Sequence, residues 1–563
     1  MVRSRASRLL LFGTADLGKP RSEAETAQLV DHIDTLYEHV AGSYLTILAR
    51  DDARVRAHGT LSGTHQIFCS RVDDVTVAAS RAALLAELAG SSVRTELIST
   101  LLLAPRAPWP LSDEPLWEGV RLVPSTHSIT IQPDGSASTV PRWSYPAHRE
   151  PLTELAPQLH SALHASVATR AALAPVLSSD LSGGLDSTTL AFLADEHTDD
   201  LLTVRQNARD VTNDDAHWAV LASSRMRSRR HIQINPHEAK PWYTDWSANA
   251  DNDLGSPYPA LRTLGLNRCL AQRVAQHGST LHLTGLGGDE LFSTSFTHLH
   301  ALIRQNPLRA LRPVRGMQAI ARWKTVATYR ALIHSEPHAT WLRNMANNLT
   351  SGLTMNPQVD WEPESRMPPW ATKTAVESAR DLIHDSAKAI LAEADSIPVI
   401  DFEMLRLVNA DGTLIRRMSQ SAQQYGVDFE APFLDDRIVD LAFRVQLTDR
   451  VAHGVFKPVL QAAMPNTIPP ELRTRRSKGD YSAEAYAGLA ENRPSMIREF
   501  ETGSLLHDQG LIDASAFCDF LTAIHPSTEP LRFLDNTLGT EIWLRFALQH
   551  QGERHATLSR QQF

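Results

Sequence analysis

The sequence is poor in cysteine and has no long apolar run. Its 563 residues include three cysteines, Cys69, Cys269 and Cys518, which are widely spaced. An odd and scattered set of this kind excludes a disulfide framework and a cysteine-rich zinc site. There is no uninterrupted run of 18 apolar residues and no signal-peptide pattern, which argues against a membrane span and a secretory signal. We therefore expect a cytoplasmic protein with no membrane partner.

Positive charge is not in excess either. Lysine and arginine total 55 whereas aspartate and glutamate total 64, so the formal net charge is −9. A protein that coats nucleic acid would need a clearly basic surface, and we expect no nucleic-acid partner. One stretch departs from this balance, because residues 301–335 contain seven basic residues and no acidic one. It predicts either a solvated helical face or a cationic wall for an anionic substrate or partner.

The sequence pattern changes near residues 145–155. Before this point, alternating apolar runs are separated by turn residues, which predicts β-hairpins. After it, helical periods alternate with strand-like runs, which predicts a parallel sheet covered by helices on both faces. The fold class is therefore α/β, with two domains at 1–150 and 151–563. The three hairpins are predicted within residues 43–60, 63–80 and 127–143.

The most informative segment is "SDLSGGLDS", residues 179–187. An apolar strand leads into Ser182-Gly183-Gly184, and a helix is predicted from about Asp186. Glycines allow close backbone approach, and N–H groups at a helix N-terminus bind phosphate oxygens. Asp186 is compatible with phosphates only if a divalent cation lies between them. The pattern is not the Walker motif; it resembles the pyrophosphate loop of ATP pyrophosphatases, which cleave ATP between the α and β phosphates.

A second glycine-rich loop, within residues 279–292, repeats this order of strand, turn and carboxylates. Its carboxylates are Asp289 and Glu290. Open parallel sheets bind ligands at the carboxyl ends of their strands, and two carboxylates from neighbouring strand ends suit one magnesium-bound pyrophosphate. The two loops together predict an ATP site.

With both loops present, the chain resembles the asparagine-synthetase superfamily over nearly its whole length, including residues 428–442 and 454–482. The resemblance implies a glutaminase-like (Ntn-type) β-sandwich domain, followed by a doubly wound ATP-pyrophosphatase synthetase domain with helical additions. It implies ATP as a substrate and Mg²⁺ held by Asp186 and Asp289. The residues it assigns to ATP and pyrophosphate are Leu181, Ser182, Gly183, Gly184, Leu185, Asp186, Ser187, Thr284 and Gly285.

Four further basic residues match or neighbour family segments. Lys478, in "RRSKGDYS", resembles the superfamily lysine that stabilises the oxyanion of the tetrahedral intermediate, and is assigned a catalytic role with Asp186 and Asp289. Lys457, in "GVFKPVL", is either structural or close to phosphate. Arg475 and Arg476 are either phosphate neighbours or surface charges.

The chain departs from the family pattern in three respects. Glutamine-dependent members carry a cysteine nucleophile at position 2, where this sequence has Val2, so the N-terminal domain is expected to be structural. Leu286 stands where asparagine synthetases have glutamate and β-lactam synthetases have tyrosine, and leucine cannot accept a proton. The long spacing from Asp289 to Lys478 fits a substrate larger than an amino acid. Candidates for the missing base are Glu290, Glu403 and Glu430.

With these three departures, the chain is most similar to the lasso-peptide macrolactam synthetases. Such an enzyme adenylates an Asp or Glu side chain of a core peptide, and the peptide's N-terminal amine then displaces AMP to close an isopeptide ring. The resemblance implies a core-peptide substrate, a leader peptidase and a leader-recognition protein as partners. The alternative is a small-molecule amide ligase of the same superfamily. A tRNA-modifying pyrophosphatase and a non-enzymatic binding module fit the sequence less well.

Overall fold

The computed structural model describes residues 2–4, 7–17, 29–30, 32–248, 253–352, 359, 361–390, 397–452, 455–475 and 479–561. Lys478 and Arg476 lie outside these ranges. Among the described helices, none combines the length and the apolarity that crossing a membrane requires.

The N-terminal part of the chain forms two antiparallel sheets. A six-stranded sheet has the order β1-β2-β3-β4-β8-β9, and a three-stranded sheet has the order β6-β5-β7. The three predicted hairpins are confirmed as β3–β4, β5–β6 and β8–β9, and Gly135 in the last turn has the left-handed φ of 81° that such turns need. The strands are β1 Val2–Ser4, β2 Ser7–Asp16, β3 Ala41–Arg50, β4 Val55–His58, β5 Phe68–Val72, β6 Val75–Ala79, β7 Arg121–Leu122, β8 His127–Ile131 and β9 Ala137–Pro141.

A five-stranded sheet follows, and all its pairings are parallel, as the sequence predicts. Its strand order is β12-β11-β10-β13-β14. The chain therefore runs outward from β10 to one edge and then returns to the other side of β10. Loops that leave β10 and β13 diverge at this switch point, which is where open α/β sheets bind ligands. The strands are β10 Leu177–Asp180, β11 Leu201–Gln206, β12 Arg230–Ile234, β13 Leu281–Leu283 and β14 Asp428–Glu430.

Helices make up most of the rest of the described chain. The α-helices are α1 Ala82–Ala89, α2 Ile98–Leu101, α3 Leu152–Leu173, α4 Leu185–His197, α5 Asp215–Arg225, α6 Leu264–Gln276, α7 Gly288–Phe292, α8 Phe296–Gln305, α9 Pro307–Ala321, α10 Thr325–Ile333, α11 His338–Asn347, α12 Lys373–Ala389, α13 Val399–Ala422, α14 Asp436–Arg444, α15 Pro458–Ala463, α16 Pro470–Arg473, α17 Ser482–Thr502, α18 Leu505–Asp508, α19 Ala514–Thr522 and α20 Leu531–Gln561. Short 3-10 helices span Ile33–Glu38, Thr95–Leu97, Leu111–Asp113, Leu261–Thr263, Gln423–Tyr425 and Pro432–Leu434.

One apolar core joins the N-terminal part to the parallel sheet. Leu61 and Trp143 are buried in the same cluster as Leu177, Leu283 and Phe429, which come from three strands of that sheet. Burial of each such side chain contributes roughly 1.5–3 kcal/mol. The sheet that positions the site is therefore stabilised by residues from the N-terminal part, and the division at 150 and 151 stays a prediction.

Candidate active site

The loop after β10 is built for close approach of the backbone to a ligand. Gly184 caps α4, which begins at Leu185, one residue before the predicted start. Gly183 has a left-handed φ of 83°, and a Cβ atom there would lie 2.8 Å from the carbonyl oxygen of Asp215. Only glycine fits such a position. The turn leaves the first N–H groups of the 13-residue helix α4 open to an anion.

Two hydroxyl groups converge on the same turn. Ser182 Oγ and Ser187 Oγ lie 2.8 Å apart, and the Gly184 N–H donates to Ser182 Oγ at 3.3 Å. Both serines line a large cavity. Hydroxyls can rotate their hydrogens, so both can donate to phosphate oxygens in that cavity.

Glycines in the second loop bring it into contact with the first. A Cβ atom on Gly285 would lie 3.0 Å from the backbone nitrogen of Ser187, and one on Gly288 would lie 2.5 Å from Asp186 Cγ. Gly288 is also the first residue of α7, which carries Asp289. The absence of side chains at these positions therefore lets Asp186 and Asp289 meet at one point.

Lys457 occupies that meeting point. Its Nζ donates to Asp186 Oδ2 at 2.5 Å and lies 2.8 Å from Asp289 Oδ1. The lysine side chain is only 1% exposed, and its backbone φ is +49° at the start of α15. Of the two alternatives left open by the sequence, the structure places Lys457 within the site, in contact with both acidic residues.

The two carboxylates fit a magnesium ion. The carboxylates of Asp186 and Asp289 both contact the Lys457 ammonium. Asp186 Oδ1 is a buried oxygen with no hydrogen-bond partner among the described residues. Burial raises the pKa of Asp186 to about 6, against the lowering effect of Lys457; a divalent cation would stabilise the ionised form. No group of three or more His, Cys, Asp or Glu ligands occurs in the described part of the chain. Mg²⁺ commonly binds one or two carboxylates and completes its shell with substrate phosphates and water.

A second carboxyl pair lies beside the first. Glu290 and Asp411 are hydrogen-bonded to each other and both line the cavity, and Asp411 also accepts the Gly287 N–H at 2.9 Å. Burial and the neighbouring Asp411 raise the pKa of Glu290 to about 8, and burial also raises the pKa of Asp411. The pair therefore retains a shared proton near neutral pH.

Of the three candidate bases in the sequence, only Glu290 lines the cavity. Glu403 accepts a hydrogen bond from Ser295 Oγ at 3.1 Å, and Glu430 accepts one from Thr14 Oγ1 at 2.5 Å. Asp411 was not identified from the sequence. The sequence feature that could have indicated it is an acidic residue in α13 between the buried core residues Val408 and Ile415.

The cavity formed by these elements has a volume of about 1210 Å³. Pockets for small ligands usually have about 300–1,000 Å³, so it has room for a nucleotide and a second substrate. Leu286 lines it beside the carboxylates. Apolar side chains that could contact a nucleotide base are Val204, Ile234, Leu266, Leu270 and Met418.

The predicted site residues are largely gathered around this cavity. Leu181 is fully buried behind the turn, Gly183 shapes the turn without lining the cavity, and Arg475 pairs with Asp214 and Asp215. Lys478 lies outside the described residues, but Arg475 and Gly479, on either side of it in sequence, both line the cavity. The predicted residues that line the cavity are Ser182, Gly184, Leu185, Asp186, Ser187, Thr284, Gly285 and Asp289.

A model of the asparagine synthase family matches residues 158–545, which is more than half of the sequence. A search of curated proteins found no match. The family match covers both loops, Lys457 and the whole parallel sheet. The chain therefore belongs to the asparagine synthase family and is an ATP-dependent, amide-forming ligase.

Proposed function

We propose that this ligase is a lasso-peptide cyclase. It adenylates an Asp or Glu side chain of a core peptide, releasing pyrophosphate. The peptide's N-terminal amine then attacks the activated carbonyl, AMP leaves, and an isopeptide macrolactam closes. The observation that carries the proposal is the cavity of about 1210 Å³, which is larger than a nucleotide alone would need.

The residues around the two loops suit the adenylation step. The Ser182 and Ser187 hydroxyls and the first N–H groups of α4 would bind the pyrophosphate group. Asp186 and Asp289 would hold Mg²⁺, which supplies charge neutralisation for the polyphosphate when bound. Lys457 adds a fixed positive charge at the same point. In a site with little water, such charges stabilise the transition state strongly.

The wall around Leu286 suits a peptide N-terminus as the nucleophile. An α-amino group has a pKa of about 7.7–8.0, compared with about 10.4 for a lysine amine. A large fraction of it is therefore neutral near pH 7.5, and it needs less help from a base than a more basic amine does. The Glu290–Asp411 pair, which carries a shared proton, lies in the same wall. A site without the family's glutamate or tyrosine at position 286 is thus compatible with this amine.

Ring closure also needs a folded substrate and protection from water. Holding the two ends of a peptide together raises their effective molarity, and exclusion of water protects the adenylate from hydrolysis. Val455 and Phe456 present half-exposed apolar surface on the lining of the cavity, and Phe456 lies next to Lys457. These side chains are suited to cover a bound peptide. Lys478 would stabilise the oxyanion of the second step, and a leader peptidase and leader-recognition protein would supply the substrate.

The test is to incubate the purified protein with ATP, Mg²⁺ and the leader-free core peptide encoded near its gene. That peptide should carry Gly at its first position and Asp or Glu about seven to nine residues further on, since these residues close the ring. Nucleotide products and peptide mass are measured together. AMP with a peptide lighter by one water supports the proposal, and Asp289→Asn should abolish both products because Mg²⁺ loses a ligand.

Two other outcomes contradict the cyclase assignment. AMP without a lighter peptide would favour the alternative, a small-molecule amide ligase of the same superfamily. No AMP with the cognate peptide and both companion proteins present would exclude this peptide class as substrate.

Lys478→Ala separates the two steps, since it should reduce ring closure more than pyrophosphate release.

A further inference from the structure

The basic side chains of residues 301–335 are exposed, and the stretch contains no acidic residue that could neutralise them. It includes seven of the chain's 55 basic residues and none of its 64 acidic residues. All seven side chains are exposed, and none forms an ion pair with another residue in the described part of the chain. The seven are Arg304, Arg309, Arg312, Arg315, Arg322, Lys324 and Arg330. On a protein with a net charge of −9, such a region is a local site of positive potential.

Helix α9 arranges part of this charge on one face. Its inward face is packed, since Ala310 and Val314 are fully buried against α8. The opposite face exposes residues at 308, 309, 312, 315, 316, 319 and 320, which is the spacing of one side of a helix. Three arginines occupy the middle of this face, and Leu308 (81% exposed) and Ile320 (86% exposed) occupy its two ends. At 1.5 Å per residue the face is about 18 Å long.

Helix α10 also exposes a basic residue between two aliphatic side chains. Val326 and Ile333 are 74% and 71% exposed, and Arg330 lies between them at helical spacing. The structure describes 15 large apolar side chains that are exposed, and four of them fall in this one stretch. A concentration of exposed apolar side chains on a protein surface is typical of an interaction site, and this stretch holds more than a quarter of those that the structure describes.

We propose that the exposed faces of α9 and α10 form a docking surface for an acidic, amphipathic segment of a partner protein. Its carboxylates pair with Arg309, Arg312 and Arg315, and its apolar side chains cover Leu308 and Ile320. Guanidinium groups bind carboxylates in a two-pronged geometry, and protein interfaces are enriched in arginine and depleted in lysine. Six of the seven basic residues here are arginine.

The same features favour a protein over other anionic partners. A helix that binds a membrane surface presents a continuous apolar face to the lipid, whereas the apolar face of α9 is already buried in the protein. Nucleic acid would use the arginines but would gain little from Leu308 and Ile320, because contacts to its backbone are mainly electrostatic. Because α9 and α10 pack on α8, which follows α7 and its Asp289 closely in the chain, a docked partner lies near the active-site helices.

The test uses a synthetic probe and two matched triple variants. The probe is a fluorescein-labelled peptide of about 18 residues, long enough to form a helix, with glutamates and leucines at helical spacing. Arg309→Glu/Arg312→Glu/Arg315→Glu should bind it at least about tenfold more weakly, as measured by fluorescence anisotropy. The control reverses the same number of exposed arginines elsewhere and should stay within about twofold of wild type. The control substitutions are Arg81→Glu, Arg229→Glu and Arg498→Glu.

A second variant tests the apolar contribution without changing charge. Leu308→Ser/Ile320→Ser should also weaken binding about tenfold, whereas Ile524→Ser, which alters an exposed isoleucine outside the stretch, should not. Equal loss in the control triple variant, or unchanged binding in the Leu308→Ser/Ile320→Ser variant, would overturn the proposal. A membrane-binding role would also overturn it. In that case the wild-type protein binds phosphatidylglycerol vesicles but not the peptide, and the arginine triple variant no longer binds the vesicles. All variants alter exposed side chains, and thermal melting verifies that each remains folded.

Discussion

Lys457 Nζ donates to Asp186 Oδ2 at 2.5 Å although 271 residues separate them along the chain. The same ammonium reaches Asp289 at 2.8 Å. A positively charged side chain thus neutralises the two carboxylates that the family resemblance assigns to Mg²⁺. The ammonium therefore offsets the repulsion between the two carboxylates before any ligand binds, and its removal would leave a buried carboxylate without a partner charge.

Replacing Lys457 with methionine should destabilise the protein in a way that Mg²⁺ partly reverses. The substitution keeps the length of the side chain but leaves Asp186 buried without its cation. Removing one partner of a buried ion pair costs about 3–5 kcal/mol. Thermal melting with and without Mg²⁺ measures the effect. Lys240→Met, which breaks an exposed pair with Asp245, should cost no more than about 1 kcal/mol. Equal melting temperatures for the two variants would contradict this account.

Gly288→Ala should abolish most activity while the fold is kept. The new Cβ atom would lie 2.5 Å from Asp186 Cγ, so the carboxylate has to move. Misplacement of a catalytic group by about 1 Å can cost about 100-fold in rate, and we expect AMP formation to fall by at least that factor. Gly316→Ala is the matched control, because a Cβ atom there would meet nothing within 4 Å beyond the adjacent residues and backbone of α9 itself. Near-normal activity of Gly288→Ala would show that Asp186 does not take part.

Glu290→Gln should change how stability depends on pH. The pKa of Glu290 is raised from 4.5 to about 8, chiefly by burial, so the folded chain holds a proton that the unfolded chain releases. This contribution to stability is complete below about pH 4.5 and is lost as pH rises through about 8. The variant cannot ionise, so its free energy of unfolding should fall less than that of wild type between about pH 5 and pH 8. Urea denaturation at several pH values measures this.

The control for that experiment is Glu87→Gln, which alters an exposed glutamate on α1. Its pH dependence should match that of wild type. If Glu290→Gln also follows wild type, the carboxyl pair with Asp411 does not retain a proton in the folded protein.

Phe456→Ala should uncouple ring closure from adenylation. Its ring is half-exposed on the cavity lining, with the Lys457 ammonium 5.4 Å from the ring centre. Loss of this apolar cover admits water to the adenylate, so AMP should form at a similar rate while the fraction of cyclised peptide falls. Mass spectrometry and nucleotide analysis of one reaction give both quantities. Ile524→Ala removes a similar apolar area from an exposed position elsewhere and should leave the fraction unchanged. A parallel loss of AMP and ring product would indicate a different role.

Local patterns in the sequence predicted much of the fold. The three hairpins follow from two-residue alternation and turn residues, and the parallel pairing follows from strands that alternate with helices. The two glycine-rich loops were also found, because a strand, a turn and a helix start are encoded within about ten residues. Their contact with each other depends on the order of strands in the sheet, and the family resemblance supplied that expectation.

The sequence was much less informative about residues that reach the site from elsewhere. Lys457 follows an apolar pair in a short segment, and no local pattern indicates that its side chain turns inward with a left-handed backbone. Asp411 lies in the middle of a 24-residue helix with no motif around it. Both positions are fixed by tertiary packing, since their partners are more than 100 residues away. Lys478, which the resemblance placed in catalysis, stays a prediction.

The order of strands in the parallel sheet has a consequence for synthesis on the ribosome. β14 pairs directly with β13, yet roughly 145 residues separate the two in the chain, which take about 7–30 s to translate at about 5–20 residues per second. Throughout this interval the β13 edge beside the nucleotide loops has no partner strand, and unpaired edges promote aggregation. Yield of intact protein should therefore depend on chaperones and on growth temperature more strongly than its stability after folding would indicate.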